Sequence, residues 1–219
     1  MALTGRELIA ARCAKFFHDG DFVNLGIGIP LMCTKYLPKD IDIWLEAEIG
    51  TVGIGPAPDW DEADIDIYDA GGHPATLVPG ASVCDLQRSF AYIRGGHVDM
   101  TVLGTLQVDQ EGNIANWKIP GKFVPGMGGA MDLCAGVKKI IVATDHCNKF
   151  GEPKVMKRCT LPLTALHCVT DIVTERCYFE VSPGGLILRE LAPGWTAEDI
   201  RACTDADFTV PEHVGIMEA

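Results

Sequence analysis

Two carboxylates, Glu46 and Glu48, stand directly before a run of glycines in residues 45–59 (LEAEIGTVGIGPAPD). Residues 41–47 alternate apolar and polar side chains, which predicts a half-buried strand. Glu48 ends that strand on the same face as Glu46, because side chains in a strand repeat every two residues. Ligands of open α/β sheets gather outside the carboxyl ends of the strands, so Glu48 is the better candidate for chemistry.

A carboxylate in this position can be a general base, a metal ligand, a nucleophile or simply a solvated acid. A metal is disfavoured because the neighbouring sequence does not supply the set of donors that a metal needs, and we expect no metal site. A nucleophile suits the glycines that follow Glu48, since they leave room for a bulky acyl carrier to approach the carboxylate.

Three glycine clusters accompany this strand, and none matches the pattern of a P-loop or of a dinucleotide-binding turn. Glycine allows close backbone approach, and amide N–H groups at a helix N-terminus favour an anion or a developing oxyanion. Each cluster alone is typical of a tight turn, but three beside a carboxylate favour a site. The candidate residues are Gly26 and Gly28 in residues 24–30, Gly50 and Gly53 in residues 50–56, and Gly128 and Gly129 in residues 126–132.

The composition limits the class of protein. A chain of 219 residues that is 47% hydrophobic can bury a large core, and we expect one domain over residues 1–219. The net charge of -12 argues against nucleic-acid binding, which needs clustered Lys and Arg. No window approaches 18 uninterrupted apolar residues and the N-terminus lacks a secretory pattern, so we expect a cytoplasmic protein that does not enter a membrane.

Nine cysteines are scattered through the chain without a C-x-x-C pair. An odd, scattered number is not a disulfide framework, so we expect reduced and mostly buried thiols. Two His-Cys neighbours, at 146–147 and 167–168, do not suggest a metal, because adjacent residues in a strand point to opposite faces.

Helical and strand patterns alternate along the chain, which predicts an α/β fold. Thr4–Phe17 is predicted to be a helix with Thr4 and Glu7 in capping-box spacing, and Pro30 to open a second helix. Near the C-terminus, Ser-Pro-Gly-Gly between two apolar runs predicts a hairpin, and Thr196–Cys203 a short capped helix. Further strands are predicted at 21–28, 98–108 and 138–144.

The pattern E-x-G-x-x-G-x-G-P at 48–56 resembles the beta-subunit motif of family I coenzyme A transferases, which include succinyl-CoA:3-oxoacid and butyrate:acetoacetate CoA-transferases. The resemblance continues in order through NLGIGIP, DAGG, IRGGHVD, GNIANWKIPGK, GMGGAMDL and CTLPLT, at 24–30, 69–72, 93–99, 112–122, 126–133 and 159–164. It implies a three-layer α/β fold, an open sheet flanked by helices. It also implies that Glu48 becomes a glutamyl-CoA thioester and that the Gly129 amide belongs to the oxyanion hole. The remaining candidate glycines are expected to contact CoA, which is a substrate carrier here, with no tightly bound cofactor.

The chain matches only the C-terminal half of the family's two-part site, so the resemblance implies an alpha subunit, with a heterotetramer as the expected assembly. It departs from the family at Ala47 and Ile49, where the usual residues are Ser and Asn. These changes bear on acyl specificity and rate. Arg94, Lys118 and Lys122 could contact CoA phosphates or serve ordinary surface pairing. A CoA hydrolase and a non-catalytic binding module of the same fold are the alternatives.

Overall fold

The computed structural model describes residues 3–69, 71–122, 124 and 126–218. Its helices are α1 (Gly5–Ala14), α2 (Ile29–Met32), α3 (Leu86–Arg94), α4 (Ala130–Gly136) and α5 (Ala197–Cys203), with a 3-10 turn at Cys33–Tyr36. Its first seven strands are β1 (Phe22–Leu25), β2 (Trp44–Ala47), β3 (Thr51–Ile54), β4 (Leu77–Val83), β5 (Met100–Leu103), β6 (Gln107–Asp109) and β7 (Ile114–Ala115). The other seven are β8 (Lys139–Ala143), β9 (Val155–Met156), β10 (Asp171–Val173), β11 (Cys177–Ser182), β12 (Gly185–Leu191), β13 (Phe208–Thr209) and β14 (Gly215–Ile216).

The main sheet has the strand order β13-β12-β11-β10-β8-β5-β1-β2-β3-β4, with β14 also paired to β12. The central strands β10, β8, β5, β1 and β2 are parallel. Antiparallel pairing adds β3 and β4 beyond β2, and β11 and β12 beyond β10, and β13 and β14 then pair with β12 in parallel. A small second sheet joins β7, β6 and β9. The carboxyl ends of β1, β2 and β5 therefore meet at one edge, which is where ligands bind in sheets of this kind.

Helices cover both faces of the parallel strands. Along β8, Ile141 and Ala143 belong to one apolar cluster, whereas Ile140 and Val142 belong to the other, as the two-residue period of a strand requires. The first cluster includes the buried face of α1, and the second includes residues of α3, α4 and α5. This arrangement is the predicted three-layer α/β fold with an open sheet.

The local predictions were confirmed near the C-terminus and partly wrong near the N-terminus. The hairpin β11–β12 forms as predicted, and Thr196 caps α5 in a capping box with Asp199. The helix α1 is shorter than predicted, and Thr4 makes no side-chain capping hydrogen bond. The acid-bearing strand is only Trp44–Ala47, and residues 51–54, predicted as part of a glycine-rich loop, form β3.

All nine cysteines lie in the described ranges and are unpaired, as predicted. Four of them, Cys13, Cys33, Cys134 and Cys177, are buried, and the other five are half-buried, so burial is less complete than predicted. Across the described part of the chain, no helix combines the length and apolar character needed to cross a bilayer.

Candidate active site

Glu48 was predicted to end the acid-bearing strand, but β2 ends at Ala47, and Glu48 lies one residue further on, in the tight turn that joins β2 to the antiparallel strand β3. The turn closes when the Gly50 N–H donates to the Ala47 carbonyl at 3.1 Å. Gly50 has φ 103°, and a Cβ there would collide with the carbonyl oxygen of Cys84, so this position requires glycine. The turn holds Glu48, half-buried, at the carboxyl end of a parallel strand.

Gly129 stands directly against the Glu48 side chain. It is the residue before α4, and its φ of -81° is one that any amino acid can adopt. Glycine is required here because a larger residue does not fit: a Cβ on Gly129 would lie 2.6 Å from Oε1 and 2.7 Å from Cγ of Glu48. The two residues predicted to be catalytic, which are far apart in the sequence, are therefore in contact.

Of the other five candidate glycines, two are exposed, and three take part in the turns and strand pairing of the fold. Gly28 and Gly128 are exposed with positive φ, and they precede α2 and α4 respectively. The Gly26 amide is already used, because it donates to the Val102 carbonyl at 2.9 Å, as the Gly50 amide is used in its turn. Gly53 is buried at an irregularity in the β3–β4 pairing, where a Cβ would lie 2.9 Å from the Ala81 side chain. Contact of these glycines with CoA stays a prediction.

Glu46 is a buried carboxylate that the alternating pattern had placed on an open strand face. It is only 3% exposed. Its Oε2 accepts a hydrogen bond from the Asn24 side-chain amide at 2.8 Å, and its Oε1 accepts one from the Ser89 hydroxyl of α3, also at 2.8 Å. Burial raises the pKa of Glu46 to about 7, with the nearby charge of Glu48 adding to the rise and the two hydrogen bonds opposing it.

Glu46 belongs to a row of polar side chains that runs across three strands of the sheet. Glu46 on β2 is in register with Asn24 on β1, and Asn24 is in register with Thr101 on β5. All three are buried, and the Thr101 hydroxyl donates to the Asn24 side-chain oxygen at 3.3 Å. One sequence signal could have revealed this row: Asn24 is a polar residue within the otherwise apolar strand Phe22–Leu25, and a buried polar side chain needs a polar partner.

Two of the basic side chains considered for CoA phosphates have partners within the chain. Arg94 donates to the Asp132 carboxylate at 2.6 Å, and the Lys118 ammonium lies over the Trp117 ring at 5.5 Å from its centroid. Lys122 is exposed. A partner does not prevent an exposed cation from meeting phosphate, so the structure leaves these residues as secondary candidates.

Known proteins are similar to this chain in sequence and in fold. The pattern of the family described as Coenzyme A transferase matches residues 6–202. The chain belongs to the coenzyme A transferase family. It is 50% identical over 216 residues to the acetate CoA-transferase subunit beta of Haemophilus influenzae, covering 99% of this chain and 96% of that protein. It is 44% identical over 215 residues to the human mitochondrial succinyl-CoA:3-ketoacid coenzyme A transferase 2, covering 97% of this chain but 42% of the human protein.

Solved structures share the fold of this CoA-transferase at lower identity. The acyl-CoA transferase YdiF of Escherichia coli O157:H7 superposes with a TM-score of 0.75 and 23% identity, over 100% of this chain and 44% of that one. The decarboxylase AibA/AibB superposes with a TM-score of 0.69 and 18% identity, over 97% of this chain and 88% of that one. Because a decarboxylase has this fold too, the fold alone does not fix the chemistry, which must be argued from the site.

Proposed function

We propose that this chain is the beta subunit of a CoA-transferase that exchanges CoA between a short-chain acyl-CoA and a carboxylic acid. The expected acids are acetoacetate, butyrate and acetate. The observation that carries the proposal is the contact between the Glu48 carboxylate and Gly129 at the start of α4. The names of the relatives, which refer to acetate and to succinyl-CoA with 3-ketoacids, support this class of substrates.

The reaction follows from carboxylate chemistry. A Glu48 oxygen attacks the acyl-CoA carbonyl and expels CoA thiolate, which leaves an anhydride between the acyl group and Glu48. The thiolate then attacks the glutamyl carbonyl, forms a thioester with Glu48 and expels the first acid as its carboxylate. An acceptor carboxylate repeats these steps in reverse. One thioester is exchanged for another, so the balance consumes no ATP.

Each attack places negative charge on a carbonyl oxygen, and a fixed N–H donor near Glu48 lowers the barrier. We assign this role to the Gly129 amide, since the residue is in contact with the Glu48 side chain. One such donor contributes about 3 to 4 kcal/mol in comparable sites. The absence of a side chain at Gly129 also leaves space for the Glu48 carboxyl group as it changes from carboxylate to thioester.

The other half of the site is expected from an alpha subunit, in a heterotetramer. The names of the bacterial relatives include a subunit designation, and the human relative is more than twice as long as the matched segment. We expect the alpha subunit to supply most CoA contacts and the second oxyanion donor. The nine unpaired cysteines suit a reducing compartment, which supports a cytoplasmic location.

The test is a transfer assay with the chain co-expressed with its alpha subunit. New acyl-CoA should form only when both an acyl-CoA and an acceptor acid are present, and Glu48→Gln should abolish it. Glu212→Gln is the matched control, because Glu212 is an exposed acid just before β14, which pairs with β12 far across the sheet from β2. Release of free CoA at the same rate without acceptor would indicate a hydrolase instead. Binding of CoA without any turnover would indicate a non-catalytic module.

A further inference from the structure

The Ser89 hydroxyl can serve two arrangements of hydrogen bonds around Glu46. It lies 2.8 Å from Glu46 Oε1 and 3.3 Å from the backbone carbonyl of Ala47, the residue before Glu48. When Glu46 is ionised, Ser89 donates to the carboxylate. When Oε1 is protonated, Glu46 donates to Ser89, and the hydroxyl turns to the Ala47 carbonyl. Asn24 donates to Oε2 in both arrangements. Glu46 can therefore gain or lose a proton without leaving a buried polar group lacking a hydrogen-bond partner.

We propose that Glu46 is a positioning residue that holds a proton beside Glu48, so that thioester formation at Glu48 proceeds best while Glu46 is neutral. The proposal rests on the proposed function of Glu48 as the nucleophile. In this role Glu46 does not touch the reacting atoms. It acts through the charge that it adds to, or withholds from, the surroundings of Glu48.

Most of the groups that face Glu46 are neutral, so the charge around Glu46 changes mainly when Glu46 itself gains or loses a proton. From β1 comes Asn24 and from α3 comes Ser89, both neutral, and Val52 of β3 is its apolar neighbour in the strand pairing. The titratable groups are Glu48 in the turn and Cys84 after β4. Burial, followed by the charge of Asp85, raises the pKa of the Cys84 thiol, which keeps it neutral.

The direction of the effect follows from charge. In the first attack the charge already on Glu48 moves towards the substrate, whereas attack of the thiolate on the glutamyl carbonyl brings negative charge back onto an oxygen of Glu48. An ionised, buried carboxylate two residues away opposes this second step, which forms the thioester, in a medium of low dielectric constant. A neutral Glu46 does not. Burial that raises the pKa of Glu46 to about 7 puts the change within the physiological range.

The first experiment is a titration that needs no turnover. Glutamate labelled with 13C at the side-chain carboxyl is placed in this chain, the chain is assembled with an unlabelled alpha subunit, and the Glu46 signal is identified by its loss in Glu46→Gln. We expect Glu46 to titrate near neutral pH. Glu48→Gln removes a neighbouring negative charge and should lower the pKa of Glu46, whereas Ser89→Ala removes a donor to the carboxylate and should raise it.

The second experiment compares rates in the same complex. Glutamine at position 46 reproduces the protonated arrangement, since its oxygen accepts from Asn24 and its amide donates to Ser89, and it stays neutral at every pH. With a pKa of about 7, the ratio of kcat/KM for Glu46→Gln to that of the wild type should rise about tenfold from pH 6 to pH 8. Glu212→Gln should show no such change relative to the wild type.

Each outcome decides one claim. A Glu46 that titrates in its ordinary acidic range, or that does not respond to Glu48→Gln and Ser89→Ala in opposite directions, overturns the proposal. A constant rate ratio between pH 6 and pH 8 overturns it as well. If the wild-type complex shows no transfer at all, the proposed function fails, and the titration still decides whether Glu46 holds a proton that responds to Glu48.

Discussion

Replacing Glu46 with glutamine should stabilise the chain at alkaline pH and leave its stability almost unchanged at acid pH. Burial raises the pKa of Glu46 from its ordinary 4.5 to about 7. The native state therefore binds this proton more tightly than the unfolded state does. Stability is highest while the carboxyl is protonated, and it falls as pH rises from the unfolded pKa through the folded one.

The size of this effect follows from the shift. One pKa unit corresponds to about 1.4 kcal/mol, so the rise from 4.5 to about 7 corresponds to about 3 kcal/mol of stability lost between pH 4 and pH 8. Glutamine keeps the hydrogen bonds to Asn24 and Ser89 but does not ionise. The free energy of unfolding of Glu46→Gln, measured relative to the wild type, should therefore increase by about 3 kcal/mol across that range.

Urea unfolding of both proteins at half-unit pH steps measures this difference, because titrating groups that do not interact with Glu46 contribute equally and cancel. Glu212→Gln is the control for the loss of one negative charge at an exposed position. It should show a difference from the wild type that stays within about 0.5 kcal/mol at every pH. A Glu46→Gln difference that does not vary with pH would refute the reasoning, since the buried carboxyl would then have an ordinary pKa.

Three further predictions concern the site. Gly129→Ala should lower kcat/KM of the assembled enzyme about 100-fold by displacing Glu48, with little change in thermal stability, whereas Gly184→Ala in the β11–β12 turn should change neither. Ile49→Asn should raise the ratio of kcat/KM for acetoacetate to kcat/KM for butyrate by roughly 10-fold or more. An unchanged ratio with a lower melting temperature would mean that Ile49 packs in the core and does not set the acyl specificity. The chain purified without an alpha subunit should show no transfer, and steady-state turnover by it would contradict the two-part site.

The parts of the fold that local signals determine were predictable. The β11–β12 hairpin follows from Ser-Pro-Gly-Gly between two apolar runs, and α5 follows from Thr196 with an acid three residues later. The strand β3 was missed because its glycine-rich sequence resembles a loop. Gly53 is tolerated there because the strand pairing shifts register at that point, and the partner strand β4 is not visible in the local sequence.

The sequence predicted only those site residues that lie within a recognisable motif. Glu48 and Gly129 were proposed from patterns that lie far apart in the chain, and the structure brings their atoms together. The burial of Glu46 could not be read from alternation, which predicts a half-buried strand with an open polar face. That face is covered by α3, and the hydroxyl of Ser89 that meets the carboxylate arrives through a long-range contact.

The most direct test of Glu48 as the nucleophile is to locate CoA on the chain. The complex of this chain with its alpha subunit is mixed with an acyl-CoA without acceptor acid, digested, and mapped by mass spectrometry with and without hydroxylamine, which cleaves thioesters. We predict CoA on Glu48, removed by hydroxylamine and absent in Glu48→Gln. A CoA adduct on Glu46, or on any other residue, or no adduct in an active complex, would contradict it.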